Sequence, residues 1–526
     1  MKLIGRIKEN VKRNKILYLQ AVMLGLLPLL CCLVTCALHG HRLSDIYLPA
    51  SDWNDELFYY KQVESILAYG YPQGYFGFNE SHALKLSFAA WSPVLVFPWI
   101  IFGFLFGWNF MSPIYCNILV MSIACVVFVL LVKPKWKQLF LLTILFCVFT
   151  PFSYYMLRVM PECICFSMLI IYYAVLEWYR REERFKGVVW MLILASVMTL
   201  MRPYLILFLI YPLILWIRKN KKYGIIGSIA LFLVIGGTYI AINHYLAAEY
   251  FTPLFKTDWL EPFLKGQIFA GVKGVFARLY YNGVTFARLT IQGLISGFTE
   301  GAFFAGYLAL MLLLAWQGLV EWRDKNRKRA MDYLYLAFCF FAMMIALLLM
   351  YKMKEGSKHL LTFMAMGIFV LSGMKTRLYK KAMFFSALCV YLYIMKATDP
   401  IDYQICFATQ ERVAKVDFWE SVFETELELK KADTPNYDNV MIWVFSDIPE
   451  GGDAAKKTLM DWQVLYGLPE GFGISCCYDD YVRDNFENLK SKYISIPVGG
   501  SIQKMCEESG LPLIKQDDTV CVYELR

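Results

Sequence analysis

Residues 51–71, SDWNDELFYYKQVESILAYGY, gather Asp52, Asp55 and Glu56 just beyond a hydrophobic run. A fourth acid, Glu162, sits in SYYMLRVMPECICF with Arg158 shortly before it, and Arg202 interrupts a long apolar stretch in MTLMRPYLILF. Arg278, Arg288, Lys358 and His359 add further polar groups between apolar runs. Together these residue types outline one reaction. A carboxylate acts as general base on an acceptor hydroxyl, which displaces a lipid-linked phosphate from the anomeric carbon of a sugar. The departing phosphate needs cations rather than a general acid. One base and a single displacement invert the anomeric centre. The chain has no glycine-rich phosphate loop, in keeping with a donor that is not a nucleotide.

The acids also admit a plainer account. Leu57, Tyr60, Val63, Leu67 and Tyr71 recur at spacings of three and four, the period of a short amphipathic helix lying against a bilayer. Asp52 can cap that helix, which puts Asp55 and Glu56 in its first turn, where free N–H groups favour negative charge. Glu162 follows Pro161 and reads equally as a first-turn acid paired with Arg158.

The elements that must position these residues are membrane spans. The chain has 526 residues, 58% of them hydrophobic, 17% aromatic and only 18% charged, with several apolar runs long enough to cross a bilayer. A polytopic α-helical membrane protein follows. The net charge of +9 does not call for nucleic acid, because Lys and Arg cluster between spans as topology signals. The clusters are KPKWK (133–137), RREERFK (180–186), RKNKK (218–222), RDKNRKR (323–329) and KTRLYKK (375–381). The basic N-terminus before the run 16–38 reads as a retained signal anchor with a cytoplasmic start.

All five clusters reach the cytoplasm only if 88–107 does not cross and 187–217 crosses twice. The first carries Pro93 and Pro98 and suits an interfacial segment. The second is too long for one span and has Arg202-Pro203 at its middle, a natural turn. Counted this way there are about eleven transmembrane helices, the last over 382–395. The expected domains are a transmembrane unit over 1–398, with a first outer loop at 39–110, and an extracytoplasmic α/β domain over 399–526. Strand-like runs at 440–445, 493–497 and 519–523 and a helical stretch at 416–431 support the second. Residues 246–300 read as a long outer loop. Its Lys and Arg, with Lys358 in KMKEGSKH, run against the topology bias, which makes Arg278, Arg288 or Lys358 candidates for the donor phosphate. The cysteines show no metal spacing, and disulfides in the tail stay open.

Asp55-Glu56 with Tyr59-Tyr60 and Gly70-Tyr71 resembles the first-loop motif of GT-C membrane glycosyltransferases, a superfamily that includes protein O-mannosyltransferases, bacterial aminoarabinose transferases and oligosaccharyltransferase catalytic subunits. SYYMLRVMPE, with Arg158 and Glu162, looks like their second outer loop, and the stretch around Arg202 like a following span pair. The resemblance covers about residues 16–245. It implies a GT-C-like helical core, a polyprenyl-phosphate-linked sugar as donor, an acceptor that is a glycan, lipid or protein of the cell envelope, and catalysis at the outer face of the cell membrane. Asp55 inherits the catalytic role, with Glu56 and Glu162 as supporting acids. Asp52, Tyr59, Tyr60, Arg158 and Arg202 fall to substrate binding. Asp52, Asp55 and Glu162 can also hold a divalent cation, Mg or Mn, through oxygen ligands. KEGSKHLLTF departs from the Arg-Tyr found before a late span in relatives, so Lys358 and His359 are assigned by position alone.

A transporter or flippase of lipid-linked saccharides is the rival from another class. Transporters place ionisable groups near mid-membrane on broken helices. Here the acids cluster at the edges of spans that are almost free of Asp and Glu, which favours surface chemistry. A polysaccharide polymerase or acyltransferase would share the topology but rely on His or Arg in a large outer loop, and His244 and His359 are isolated.

Overall fold

The computed structural model describes residues 14–49, 55–72, 76–82, 93–246, 258–296, 299–350, 357–374, 405–426, 437–444, 447, 465–469 and 472–526. The protein is a polytopic helical bundle with a small sheet domain at one end. Six described helices are long and apolar enough to cross a membrane. They are α1 (Lys15–Leu38), α4 (Ser112–Val132), α7 (Glu162–Glu182), α10 (Lys221–Leu246), the span Phe304–Arg323 within α12 (Thr299–Arg323), and α13 (Arg327–Met350). Shorter apolar helices fill the gaps: α3 (Phe97–Phe106), α5 (Trp136–Val148) followed by α6 (Pro151–Met156), α8 (Phe185–Met201), α9 (Ile210–Lys219) and α14 (Ser357–Ser372). The expected crossing at 382–395 lies outside the described residues.

Proline writes the breaks. Arg202 stands before Pro203 and is extended, with φ −142° and ψ 111°, because the proline ring excludes the helical region for its predecessor. The run 187–217 therefore divides into α8, a 3₁₀ stretch Pro203–Leu209, and α9. Helix α3 has 10 residues and spans about 15 Å, half a bilayer core, so it cannot cross alone. Gly107 ends it at φ +87°, a conformation that a side chain would strain.

The basic clusters meet at one end of the bundle. Arg181 donates to the carbonyls of Leu131 and Val132 at 3.0 and 3.3 Å, tying α7 to the end of α4. Arg180 bridges Glu177 and Asp332, each at 2.6 Å, and Tyr211 donates to Asp332 at 2.6 Å. Lys328 pairs with Glu183, Arg329 donates to the Gly373 carbonyl, and Lys219 lies over the Phe185 ring. Four of the clusters thus share one face of the bundle, and 375–381 lies outside the described residues.

One expectation is corrected. The stretch 246–300 was expected to be a long loop, but within its described part Ile268–Ser296 forms a 29-residue helix, α11. Its inward face holds Leu279, Phe286 and Leu289; Phe286 meets Phe304 at 4.6 Å and Asn282 donates to the Leu348 carbonyl at 2.6 Å. Phe269, Val272, Phe276, Tyr280 and Val284 form an exposed stripe at spacings of three and four. Glycines and scattered cations dilute the apolar signal of this segment without breaking its helical period.

The sheet lies at the other end. Its order is β2-β1-β4-β3-β5-β7-β6, built from β1 (Phe76–Phe78), β2 (Ser81–His82), β3 (Val440–Val444), β4 (Gly473–Cys477), β5 (Tyr493–Pro497), β6 (Leu513–Gln516) and β7 (Val520–Glu524). Strands β1, β4, β3 and β5 run parallel, and both faces are buried, as parallel sheets require. Ile442, Ile494 and Ile496 face α16 (Asp479–Asn485) and α17 (Ser501–Glu508), where Val482, Ile502 and Cys506 close that core. Trp443 turns the other way and stacks at 5.1 Å on Trp419 of α15 (Gln410–Ser421). Cys476, Cys477, Cys506 and Cys521 are free and buried; burial pushes the Cys506 and Cys521 thiols up to about 12, which makes them poor nucleophiles.

Single cysteines placed at Lys135, Arg184 and Lys325, in a background cleared of reactive native thiols, should label together with an impermeant reagent from one side of a sealed membrane. Cysteines at Ser44 and Lys504 should label from the other. Labelling of both sets from one side would overturn this arrangement.

Candidate active site

Helix α2 (Asp55–Tyr69) enters the structure beside the end of the bundle that is opposite the basic clusters. Asp52 lies outside the described residues, and Asp55 is described only as the backbone that opens α2. Glu56 and Tyr59 follow at helical spacing and are both buried. Glu56 Oε1 lies 3.3 Å from a terminal nitrogen of Arg158, itself buried.

Arg158 sits in the non-helical turn between α6 and α7, and one residue holds that turn. Asn117 of α4, fully buried, points its amide nitrogen at the carbonyls of Arg158 and Met160, at 3.0 and 3.3 Å. Its oxygen accepts from the Trp99 indole at 2.9 Å. Three elements are joined through a single side chain, and the turn's carbonyls find donors where water cannot reach. Neither Asn117 nor Trp99 was expected as a site residue. The available signal was a lone carboxamide in an apolar span, which needs partners to be buried.

Pro161 then starts α7, and Glu162 is its first residue. Glu162 Oε1 receives Arg202 at 2.6 Å, and the same guanidinium nitrogen lies 3.5 Å from the Tyr59 hydroxyl. Arg202 is 1% exposed, so the contact is shielded from water. Its position at the break between α8 and the 3₁₀ stretch frees the side chain to reach both partners. His359, the third residue of α14, comes close to this turn. Its ring meets Tyr204 edge-on at 5.6 Å. The Lys358 side chain lies outside what is described.

The site thus brings together Glu56, Tyr59, Arg158, Glu162 and Arg202, with His359 at its margin. Tyr60 faces elsewhere, stacked at 5.2 Å on Trp108 and 4.8 Å from Tyr466. Burial, reinforced by Glu64, pushes its phenol above the ordinary value. Arg278 and Arg288 ride on α11, the first half-buried and the second exposed.

Two acids and two arginines balance in charge. Protonating Glu56 or Glu162 would strand a buried guanidinium, so both suit holding rather than proton transfer. Glu162 Oε2 is buried with no hydrogen-bond partner among the described residues, which leaves it open to a ligand. No group of three or more His, Cys, Asp or Glu able to hold a metal occurs among the described residues. Of the three acids expected to offer oxygens to a divalent cation, only Glu162 has a described side chain, and no step is routed through a metal below.

No protein-family model matches the sequence, nor does any curated protein. Solved structures do resemble it. The apo oligosaccharyltransferase of Archaeoglobus fulgidus superposes with a TM-score of 0.51 at 12% identity, over 91% of this chain and 69% of that one. ArnT from Cupriavidus metallidurans, solved with undecaprenyl phosphate, gives a TM-score of 0.42 at 10% identity, over 96% and 98%. At 12% identity the likeness to the first of these is one of fold alone, that of a polytopic helical membrane protein.

Replacing Glu162 by Leu should cost about 3–5 kcal/mol, because Arg202 loses its buried partner. Adding Arg202→Met should recover a large part of that loss. Thermal unfolding in detergent of both variants, and of Arg202→Met alone, closes the cycle. Simple additivity of the two single effects would mean that the pair is not coupled.

Proposed function

We propose that this chain is an integral membrane glycosyltransferase that moves a sugar from a polyprenyl-phosphate donor to a cell-envelope glycan, lipid or protein, with inversion, at the outer face of the cell membrane. The observation that carries this reading is the buried set of Glu56, Arg158, Glu162, Arg202 and Tyr59 around the start of α2, within a GT-C-like fold. Support for the orientation comes from the basic clusters at the opposite end, which the positive-inside rule assigns to the cytoplasm. The sheet domain is then extracytoplasmic.

In this reading Asp55 is the base. It directly precedes Glu56 on α2, and both neighbouring acids are committed to arginines. Asp55 takes the proton of the acceptor hydroxyl as its oxygen attacks the anomeric carbon. The bond from that carbon to the phosphate oxygen breaks, and polyprenyl phosphate leaves with the electron pair. Arg158 and Arg202 supply positive field at fixed positions, which stabilises the growing phosphate charge without reorganisation. The open oxygen of Glu162 accepts a hydroxyl of the bound substrate. Arg278, Arg288 and Lys358 remain candidates for the donor phosphate at the site's edge.

Transfer assays with purified protein and a panel of polyprenyl-phosphate sugars test the proposal. Asp55→Asn should lower the rate on the order of 10²–10⁴-fold, the usual cost of removing a general base. Asp52→Asn should be mild, since Asn caps a helix about as well as Asp. Transfer at the native rate by Asp55→Asn would remove Asp55 from the role of base, and absence of transfer from every donor would remove the activity.

A further inference from the structure

We propose that Glu80 is a latch through which the C-terminal sheet sets the position of α2, which makes Glu80 a positioning residue for the site. The effect on catalysis rests on the reading of α2 as the carrier of the base.

The case begins with backbone conformation. Strands β1 and β2 are joined by the two residues Asn79 and Glu80, with Phe78 opposite Ser81. Both turn residues have positive φ, +47° and +59°, as a primed hairpin turn demands. Asn tolerates this region and Gly is usual at the second position, whereas Glu is strained there. A strained residue persists only where surrounding contacts hold it.

Those contacts come from the C-terminal domain. The Glu80 residue is 4% exposed. Its Oε1 accepts from the Lys490 and Ser491 backbone N–H groups, at 2.9 and 2.7 Å, and from the Ser491 hydroxyl at 2.7 Å. The Glu80 N–H donates to Ser475 Oγ of β4 at 2.7 Å, and the Tyr437 hydroxyl donates to the Glu80 carbonyl at 3.2 Å. Asn79 N–H donates to the Cys476 carbonyl at 2.9 Å. One turn from the first loop is thus bonded to three separate parts of the sheet domain. The buried Ser491 N–H and the Lys490 N–H, both just ahead of β5, have this carboxylate as their acceptor.

The grip continues along α2. Lys61, 3% exposed, donates to the Leu468 carbonyl at 2.8 Å, and Tyr60 sits between Trp108 and Tyr466. Tyr59, next to them in sequence, is the residue that reaches Arg202. The helix is therefore held by the arginines at its first turns and by the sheet domain further on. Loss of the latch frees the hairpin end and lets the first turn drift from Arg158 and Arg202.

Three variants of the full chain, in nanodiscs, separate latch from turn. Glu80→Gln keeps an acceptor oxygen at the same reach and should match the native protein. Glu80→Ala and Glu80→Gly both lose the acceptor, but Gly also relieves the backbone. Both should raise hydrogen exchange at α2 and at the Lys490 and Ser491 amides. Both should lower kcat about 10- to 100-fold, the scale of a small misplacement of reacting groups, with donor KM unchanged. Native exchange at α2 in both variants would overturn the latch, as would a native Glu80→Gly beside a defective Glu80→Ala. Faster exchange with native kcat would overturn the link to catalysis. An active Asp55→Asn alongside loosened exchange in Glu80→Ala would overturn the assignment of the base and leave the latch standing.

Discussion

Two guanidinium–carboxylate contacts, Arg158 with Glu56 and Arg202 with Glu162, lie where water does not reach. Removing four charges from water is costly, and their mutual attraction offsets that only when the geometry is tightly held. Much of the surrounding structure meets this demand. Pro161 and Pro203 bracket the two polar breaks, so that Glu162 begins a helix and Arg202 ends one. Asn117 fixes the turn that carries Arg158, and the Trp99 indole fixes Asn117.

The same demand explains why the first loop and the last hundred residues are interlocked. Helix α2 is too polar to bury itself in the bundle alone, with Lys61, Gln62 and Ser65 all buried along it. The sheet domain supplies partners, such as the Leu468 carbonyl for Lys61, and the loop in turn donates β1 and β2 to the sheet. At the opposite end, Asp332 receives both Arg180 and Tyr211, which joins α7, α9 and α13. The two polar clusters occupy opposite ends of α7. A rigid bundle pinned at both ends is a suitable frame for chemistry that depends on fixed dipoles.

Much of the architecture was legible from the chain. Hydropathy located the spans, the Arg202-Pro203 step marked the split of 187–217, and short strand-like runs suggested β3, β5 and β7. The acids at the start of α2 and α7 were visible as candidates, and the motif pattern around them pointed to the GT-C-like fold. Other features were not legible. Tyr60 looked like a partner of Tyr59, yet adjacent residues on a helix diverge by about 100°, and only one of the two reaches Arg202. The hairpin strands β1 and β2 are too short to carry a period of their own, and β4, GISCC, has few of the β-branched and aromatic residues that mark a strand.

The sequence by itself determined what contiguous segments can decide: which runs enter a membrane, where proline breaks them, and which turns gather acids. These follow from local period and from transfer free energy, which act on neighbours in the chain. Only the tertiary structure decided which acid meets which arginine. Spacing alone pairs Glu162 with nearby Arg158, but Glu162 takes Arg202, while Arg158 turns to Glu56. Partners so far apart in sequence are chosen by helix packing, because a buried charge accepts the arrangement that leaves none of its neighbours unpaired.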